Sequence, residues 1–352
     1  MSRFFRTYFL FYFFASASAP LHPITSHSEA SKNVANGECQ ERGGASGLRL
    51  SALSLGMWQN FGEGADRDVA RQIVCTALDG GITSFDLANN YGPPAGAAEE
   101  MFGYLYRSLL RPLRDEIVVA TKAGYPVWSG PYGDGGSRKY LVASCDRSLR
   151  AMGLDYVDIF YSHRYDPNTP LEETMSALDY IVRSGRALYV ALSKYPADVL
   201  PRAVEILRSL GTPCVAHQVQ YSMLTRQNDP LFPMHKELGV GCVTFSPLAQ
   251  GQLTNRYADG IPAGSRAARG ESLKAGVVED NLPKVKALAE VAAERGESLA
   301  QLALAWQLQG GAVDSVIIGA SRPKQIVDNL GAVSAAPITA EQAAKIDEIL
   351  HK

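Results

Sequence analysis

From Leu48 onward, short apolar, β-branched runs alternate with amphipathic helical stretches, eight times over. The extended runs are Leu50–Leu55, Ile82–Phe85, Ile117–Thr121, Tyr156–Tyr161, Ala187–Leu192, Pro213–Val219, Gly241–Phe245 and Ser315–Ile318. Helical spacing is read over Arg67–Gly80, Ala97–Leu110, Arg138–Met152, Leu171–Ser184, Asp198–Leu210, Leu231–Leu238, Leu282–Arg295, Leu299–Leu308, Pro323–Ala332 and Thr339–Ile349. Strict alternation predicts a parallel sheet with helices outside it. Eight such units fit an α/β fold, a single-domain (β/α)8 or TIM barrel over residues 46–352. The rival open sheet would want a G-x-G-x-x-G turn after the first strand, and the stretch Gly56–Gly62 (GMWQNFG) does not supply one. The connection 250–279 is too polar for core and reads as a functional loop.

In such a barrel, chemistry belongs at the C-terminal ends of the strands. Asp86 ends the second run, Lys122 the third, and His163 lies just past the fourth; Tyr91 hangs in the Asn/Gly/Pro loop that follows Asp86. Each has a bland reading alone: a turn cap, a solvated lysine, a structural histidine, a packed loop tyrosine. Together, at three consecutive strand ends, they make an acid site. A free phenol has a pKa near ~10 and is a poor acid at neutrality. A lysine ammonium about 4 Å away would favour the phenolate by roughly 4 kcal/mol at an effective dielectric of ~20, enough to lower the phenol by up to ~3 units. Asp86 would hold Lys122 in place and charged. Tyr91 could then protonate an oxygen gaining negative charge while His163 orients it. No nucleophile or metal cluster accompanies them, so metal ligands are predicted to be none. The set suits carbonyl reduction with hydride arriving from elsewhere.

These four residues resemble the Asp-Tyr-Lys-His tetrad of the aldo-keto reductases. The likeness runs from about Gly47 to Lys352 and rests on FDLANNYGPP (85–94), GPYGDGGSRKY (130–140), FYSHR (160–164), SPLAQG (246–251) and IGASR (318–322). Within the family it is most similar to the L-glyceraldehyde 3-phosphate reductase branch, related to potassium-channel β subunits. The resemblance implies an NADPH-dependent oxidoreductase that converts aldehydes, of the triose phosphate or methylglyoxal kind, to alcohols. It implies hydride transfer from C4 of the nicotinamide, and no metal. A different class remains open: an NADPH-binding, redox-sensing regulatory subunit. The channel-related branch also implies assembly into oligomers.

A cofactor site follows around the far strand ends. Phe245 either stacks on the nicotinamide or is core; Ser193 and Gln218, as the family implies, bind its amide, and Trp58 joins Asp86 at that end. Ser246, Pro247, Leu248, Gln250 and Gly251 form a turn whose amides suit a pyrophosphate, and Arg256 and Arg266 bring charge over it. Gly319 and Ser321 lead into a helix starting at Pro323, an anion site for a 2′-phosphate. Gln325, Asp328 and Asn329 follow for the adenosine. On the substrate side, Trp58, Tyr91, Trp128 and His163 line the mouth. Arg164 either binds a substrate phosphate or pairs with Asp166 or Glu172.

Charge and composition exclude other classes. A net charge of −2 gives no whole-chain attraction to nucleic acid or to an anionic membrane. Five scattered cysteines without C-x-x-C suit reduced thiols, and hence the cytoplasm, better than a disulfide framework. Residues 1–45 stand apart. Arg3 and Arg6, an aromatic run to Phe14 and Ala15-Ser16-Ala17 have the order of a secretory or organellar leader, too short to span a bilayer, and 18–45 lack periodicity. The alternative is a misassigned start.

Overall fold

The computed structural model describes residues 40–42, 44–270 and 272–351. Two short strands, β1 (Gln40–Arg42) and β2 (Arg49–Ser51), pair antiparallel ahead of the barrel. Eight parallel strands then close on themselves: β3 (Leu53–Gly56), β4 (Ser84–Asp86), β5 (Val118–Ala123), β6 (Val157–Ser162), β7 (Ala187–Ser193), β8 (Cys214–Gln220), β9 (Gly241–Phe245) and β10 (Ser315–Ile318), with β10 bonded to β3. The helices are α1 (Arg67–Asp79), α2 (Ala97–Leu105), α3 (Arg138–Met152), α4 (Leu171–Arg183), α5 (Leu200–Ser209), α6 (Leu231–Leu238), α7 (Arg266–Arg269), α8 (Ala275–Glu294), α9 (Leu299–Gln309), α10 (Pro323–Leu330) and α11 (Ala340–His351). The expected single-domain (β/α)8 barrel is the observed fold. Among the described residues no helix is long and apolar enough to cross a membrane.

Strand parity divides the side chains into two cores. Outward residues such as Phe85, Val119, Phe160 and Val190 pack under the helices in the main apolar cluster. Inward residues Ala120, Ile159, Tyr161, Ala191, Val243 and Ile317 fill the barrel itself. Leu50 joins this inner set from β2, so the β1–β2 hairpin closes the barrel floor.

Local signals fix the helix ends. The Asp66 carboxylate accepts the Asp68 and Val69 amides at the start of α1, a cap worth about 1 kcal/mol. Ser137 caps α3, which ends on left-handed Gly153. Ser298 and Gln301 form a reciprocal capping box on α9.

The structure differs from the sequence reading in four places. The run Leu50–Leu55 is two strands broken at Ala52, because Leu50 plugs the floor while Leu53 enters the barrel wall. β1 precedes the expected boundary at residue 46; the leader expectation for 1–17 lies outside the described residues. The helix expected to reach Leu110 gives way to a π turn over Tyr106–Leu110 and a 3-10 turn to Leu113. The wider turn buries Leu109, Leu110 and Leu113 together. Finally, α8 begins at Ala275, not Leu282, and carries Pro283 inside. Val278, buried with Tyr257, Ala267 and Leu273, anchors the added turns against the proline's cost.

A buried histidine pair braces β8 against α6. His217 Nδ1 and His235 Nε2 lie 2.9 Å apart, and His217 Nε2 accepts the Tyr195 amide. His217 Nδ1 therefore carries the proton and donates it. Burial, reinforced by His235, pushes His217 down to about 3, and burial alone takes His235 down to about 4. The unfolded chain protonates such imidazoles near ~6.5, so their contribution is present above that pH and lost as pH falls toward the folded values. We expect unfolding free energy to decline between pH 6.5 and 4 by up to about 1.4 kcal/mol per pH unit for each extra proton taken up on unfolding. His217→Gln should be less stable at pH 7 yet show a shallower decline in urea titrations; an unchanged slope would contradict the pair's role.

Candidate active site

The parity that fills the barrel also aims its chemistry. On each strand the functional residue stands two positions beyond an inward residue: Asp86 after Ser84, Lys122 after Ala120, His163 after Tyr161, Ser193 after Ala191, Phe245 after Val243. Together they ring one mouth, at the C-terminal ends of the strands.

At its base lies a buried ion pair. Lys122 is 0% exposed. Its Nζ donates to Asp86 Oδ2 at 2.6 Å and to the Leu87 carbonyl at 2.7 Å. Asp86 Oδ1 accepts from Gln218 Nε2 at 2.9 Å, so both carboxylate oxygens are satisfied. Burial draws the Lys122 ammonium below its ordinary range, and Asp86 opposes that shift.

Tyr91 and His163 stand over this pair. The Lys122 ammonium lies 5.0 Å from the Tyr91 ring centre, and the His163 ring meets Tyr91 edge-on at 5.8 Å. Here one expectation is overturned: Tyr91 is not made more acidic. Its pKa is held well above 10, first by burial of the hydroxyl and then by the Asp86 carboxylate. Asp86 opposes the lysine's field, and desolvation is the larger effect. The phenol is therefore a fully protonated donor. His163 is buried and held neutral, its pKa pulled well below 6.5 first by burial and then by Lys122, Lys194 and Arg164. Its Nδ1 has no hydrogen-bond partner, so its ring is set by packing against Tyr91 and, at 4.7 Å, Tyr125.

On the cofactor side, the Ser193 hydroxyl donates to the Gln218 carbonyl at 3.0 Å, and Gln218 is committed through its Nε2 to Asp86. Phe245 is half-buried, with Lys194 Nζ 5.1 Å from its ring centre. Ser246, Ala249, Gln250 and Gly251 all have left-handed backbones (φ 60°, 46°, 59° and 97°), a curl that gathers amides into a concave turn. Two of those amides are already used: Ala249 donates to Ser246 O and Gly251 to Leu248 O, and Pro247 has none. The long connection returns Arg266 to the mouth, 5.7 Å above Trp58, which in turn lies 6.2 Å from Tyr91. Burial lowers Arg266; Tyr257 opposes this, and Arg256 and Arg269 add to it. Three arginines thus gather there. At the start of α10 the Gln325 carbonyl accepts the Ser321 amide, the Ser321 hydroxyl and the Arg322 amide. Gln325 therefore caps its own helix rather than standing free for a ligand. Asp328 is exposed, Asn329 buried. Asn60, bonded to Ala320 O at 3.0 Å, ties Gly319 and its neighbours to the loop carrying Trp58.

The substrate side is partly as expected. Trp58 is 42% exposed beside Tyr91. Trp128 is directed elsewhere: its ring packs on Tyr140 and under Arg147, by a cavity of about 470 Å³ between α2 and α3. That cavity and another of about 390 Å³ along α3 both lie outside the mouth. Arg164 Nε donates to Gly124 O at 2.8 Å, and its other end makes its ion pair with Asp134 at 3.4 Å, while its charge still reaches Asp166. Sequence reasoning missed Tyr125 and Tyr161. Tyr161 lies on the inward side of β6, two residues before His163, and Lys122 Nζ is 5.5 Å from its ring; parity alone could have found it. Tyr125 sits in a loop, and no periodic signal marks it. Among the described residues, no cluster of His, Cys, Asp and Glu converges to hold a metal.

This barrel, with a buried Lys-Asp pair under a tyrosine and a neutral histidine, is matched by the aldo/keto reductase family profile over residues 52–351. The chain belongs to that family and is an oxidoreductase. It is 50% identical over 312 residues to L-glyceraldehyde 3-phosphate reductase of Escherichia coli (strain K12), covering 87% of this chain and 90% of the relative. It is 38% identical over 319 residues to a probable voltage-gated potassium channel subunit beta of Oryza sativa subsp. japonica, covering 88% and 95%. Among solved structures it resembles aldo-keto reductase AKR11C1 from Bacillus halodurans (holo form), with TM-score 0.72, 28% identity, and 88% and 96% coverage.

Lys122→Met should leave the Asp86 carboxylate buried without its cation and lower stability by about 3–5 kcal/mol, read from urea unfolding. Adding Asp86→Leu to that variant should restore much of the loss. A single variant as stable as wild type would contradict the buried pair.

Proposed function

We propose that the protein is an NADPH-dependent reductase of small aldehydes, triose phosphates and methylglyoxal among them. The observation that carries this reading is the Lys122–Asp86 pair buried beneath Tyr91, with neutral His163 beside the same phenol. A bound nicotinamide would supply hydride to the carbonyl carbon. The chain's part is the oxygen. His163, kept neutral, offers an N–H to the carbonyl oxygen and fixes its direction. Tyr91 gives that oxygen its proton as negative charge grows there. The phenolate left behind is stabilised by the Lys122 ammonium, which lies 5.0 Å from the centre of its ring. Its strongly raised pKa keeps the proton on Tyr91 until an alkoxide, a far stronger base, takes it.

The residues present fit the cofactor. Half-buried Phe245 offers an aromatic face, and Ser193 Oγ keeps acceptor capacity toward an amide. The left-handed turn at Ser246–Gly251 lies on the same side as Arg256, Arg266 and Arg269, three cations suited to a pyrophosphate. Ser321, Arg322 and Lys324 at the start of α10 suit a further phosphate, which favours NADPH over NADH. The likeness to an L-glyceraldehyde 3-phosphate reductase supports the triose phosphate. Residues 46–352 form the working barrel, and the free thiols of the four described cysteines suit the cytoplasm.

A panel of triose phosphate and methylglyoxal, each with NADPH and with NADH, tests this. We expect aldehyde-dependent oxidation of NADPH, faster than of NADH. Because His163 stays neutral, kcat should show no inflection near its ordinary value of ~6.5. Tightly held NADPH without turnover would instead favour the regulatory reading that the channel-subunit relatives bring to mind.

A further inference from the structure

Two cations at the mouth neither give nor take the proton, although both help to keep His163 neutral. Lys194 follows the last residue of β7 and Arg164 follows His163. Both lean on the Tyr125 ring, Lys194 Nζ 4.9 Å and the Arg164 guanidinium carbon 4.6 Å from its centre, and Lys194 stands between that ring and Phe245, 5.1 Å from the latter. The Tyr125 hydroxyl accepts from Lys194 Nζ at 2.9 Å, and the Tyr125 carbonyl is pinned by the Tyr140 hydroxyl at 2.6 Å. Asn89, from the loop that carries Tyr91, donates to that same Tyr140 hydroxyl at 3.1 Å.

Their charges are poorly matched. Lys194 has no carboxylate partner among the described residues. Arg164 makes one ion pair among the described residues, with Asp134 at 3.4 Å and 55% exposed, a contact of little strength, and its charge also reaches Asp166. Lys194 also holds a left-handed backbone, φ 54°, a conformation that L side chains avoid and that collects where function demands it. That geometry accompanies a side chain stretched across the mouth from β7 to the loop after β5. Both cations are close enough to His163 to depress its protonation.

We propose that Lys194 and Arg164, braced on Tyr125, form a clamp for the phosphate of the substrate, and that this clamp makes the enzyme prefer phosphorylated aldehydes. This rests on the reductase reading above. The aldehyde end meets Tyr91 and His163; the phosphate end displaces the Tyr125 hydroxyl from Lys194 and takes a charge-assisted bond from each cation. Lys194 is thereby a specificity residue.

The test compares glyceraldehyde 3-phosphate with glyceraldehyde under saturating NADPH, in wild type, Lys194→Ala and Lys194→Arg. Losing one charge-assisted hydrogen bond costs about 10- to 100-fold in affinity. The ratio of kcat/KM for the two aldehydes should fall by that factor in Lys194→Ala, mainly through KM for the phosphorylated one, and recover in part in Lys194→Arg. KM for the phosphorylated aldehyde in wild type should rise with salt. An unchanged ratio would overturn the clamp, as would a raised KM for NADPH with no change in the ratio, which would assign Lys194 to the cofactor. If wild type reduces neither aldehyde, the reductase reading fails by itself. Calorimetric titration of inorganic phosphate into protein saturated with NADP+ then judges the clamp separately. Tighter binding by wild type than by Lys194→Ala supports it; equal binding overturns it.

Discussion

A lysine with no access to water and an aspartate with almost none organise this molecule. Two charges in a low-dielectric core are tolerated only when their geometry is good and their remaining bonding capacity is filled. Lys122 meets Asp86 at 2.6 Å and the Leu87 carbonyl at 2.7 Å, while Gln218 holds the other carboxylate oxygen. Three barrel strands, β4, β5 and β8, are thus tied at one level. Whatever stands over that level inherits a fixed floor, and what stands there is Tyr91 and His163.

The same burial sets the protonation states. One might expect a cation near a phenol to make it acidic. Desolvation, with the carboxylate paired to that cation acting in the same direction, keeps the proton on Tyr91, and desolvation keeps it off His163. The site therefore rests as a neutral donor pair over a neutralised ion pair, with cations held further out. Lys194 and Arg164 gather on one side around Tyr125, and Arg256, Arg266 and Arg269 on another near Trp58. Neutral chemistry within a positively charged rim suits a reaction whose reactants carry phosphates and whose reacting atom is an uncharged carbonyl.

Much of this was legible in the residues. The eight strands were found within a residue or two of their ends, with the exception of the first, because alternation and parity are local signals that tertiary contacts reinforce. Asp86, Tyr91, Lys122 and His163 could be nominated since each stands at or beyond a strand end. What escaped depended on packing. The β1–β2 hairpin folds only because Leu50 has a barrel floor to fill. The early start of α8 depends on Val278 meeting Tyr257 and Leu273. Tyr125 is marked only by what its loop brings it against. Trp128 carried the right chemistry in the right loop, yet that loop turns it toward α3. The acidity of Tyr91 was misjudged because the distance to a cation was weighed without the desolvation that surrounds both.

The central claim is that the Tyr91 hydroxyl delivers the proton which makes an alcohol of the aldehyde. A single-turnover experiment on Tyr91→Phe, with NADPH already bound and glyceraldehyde added in excess, tests it most directly. The account predicts an unaltered Kd for NADPH and alcohol formation slowed by about 10²-fold or more; alcohol appearing at the wild-type rate would contradict it.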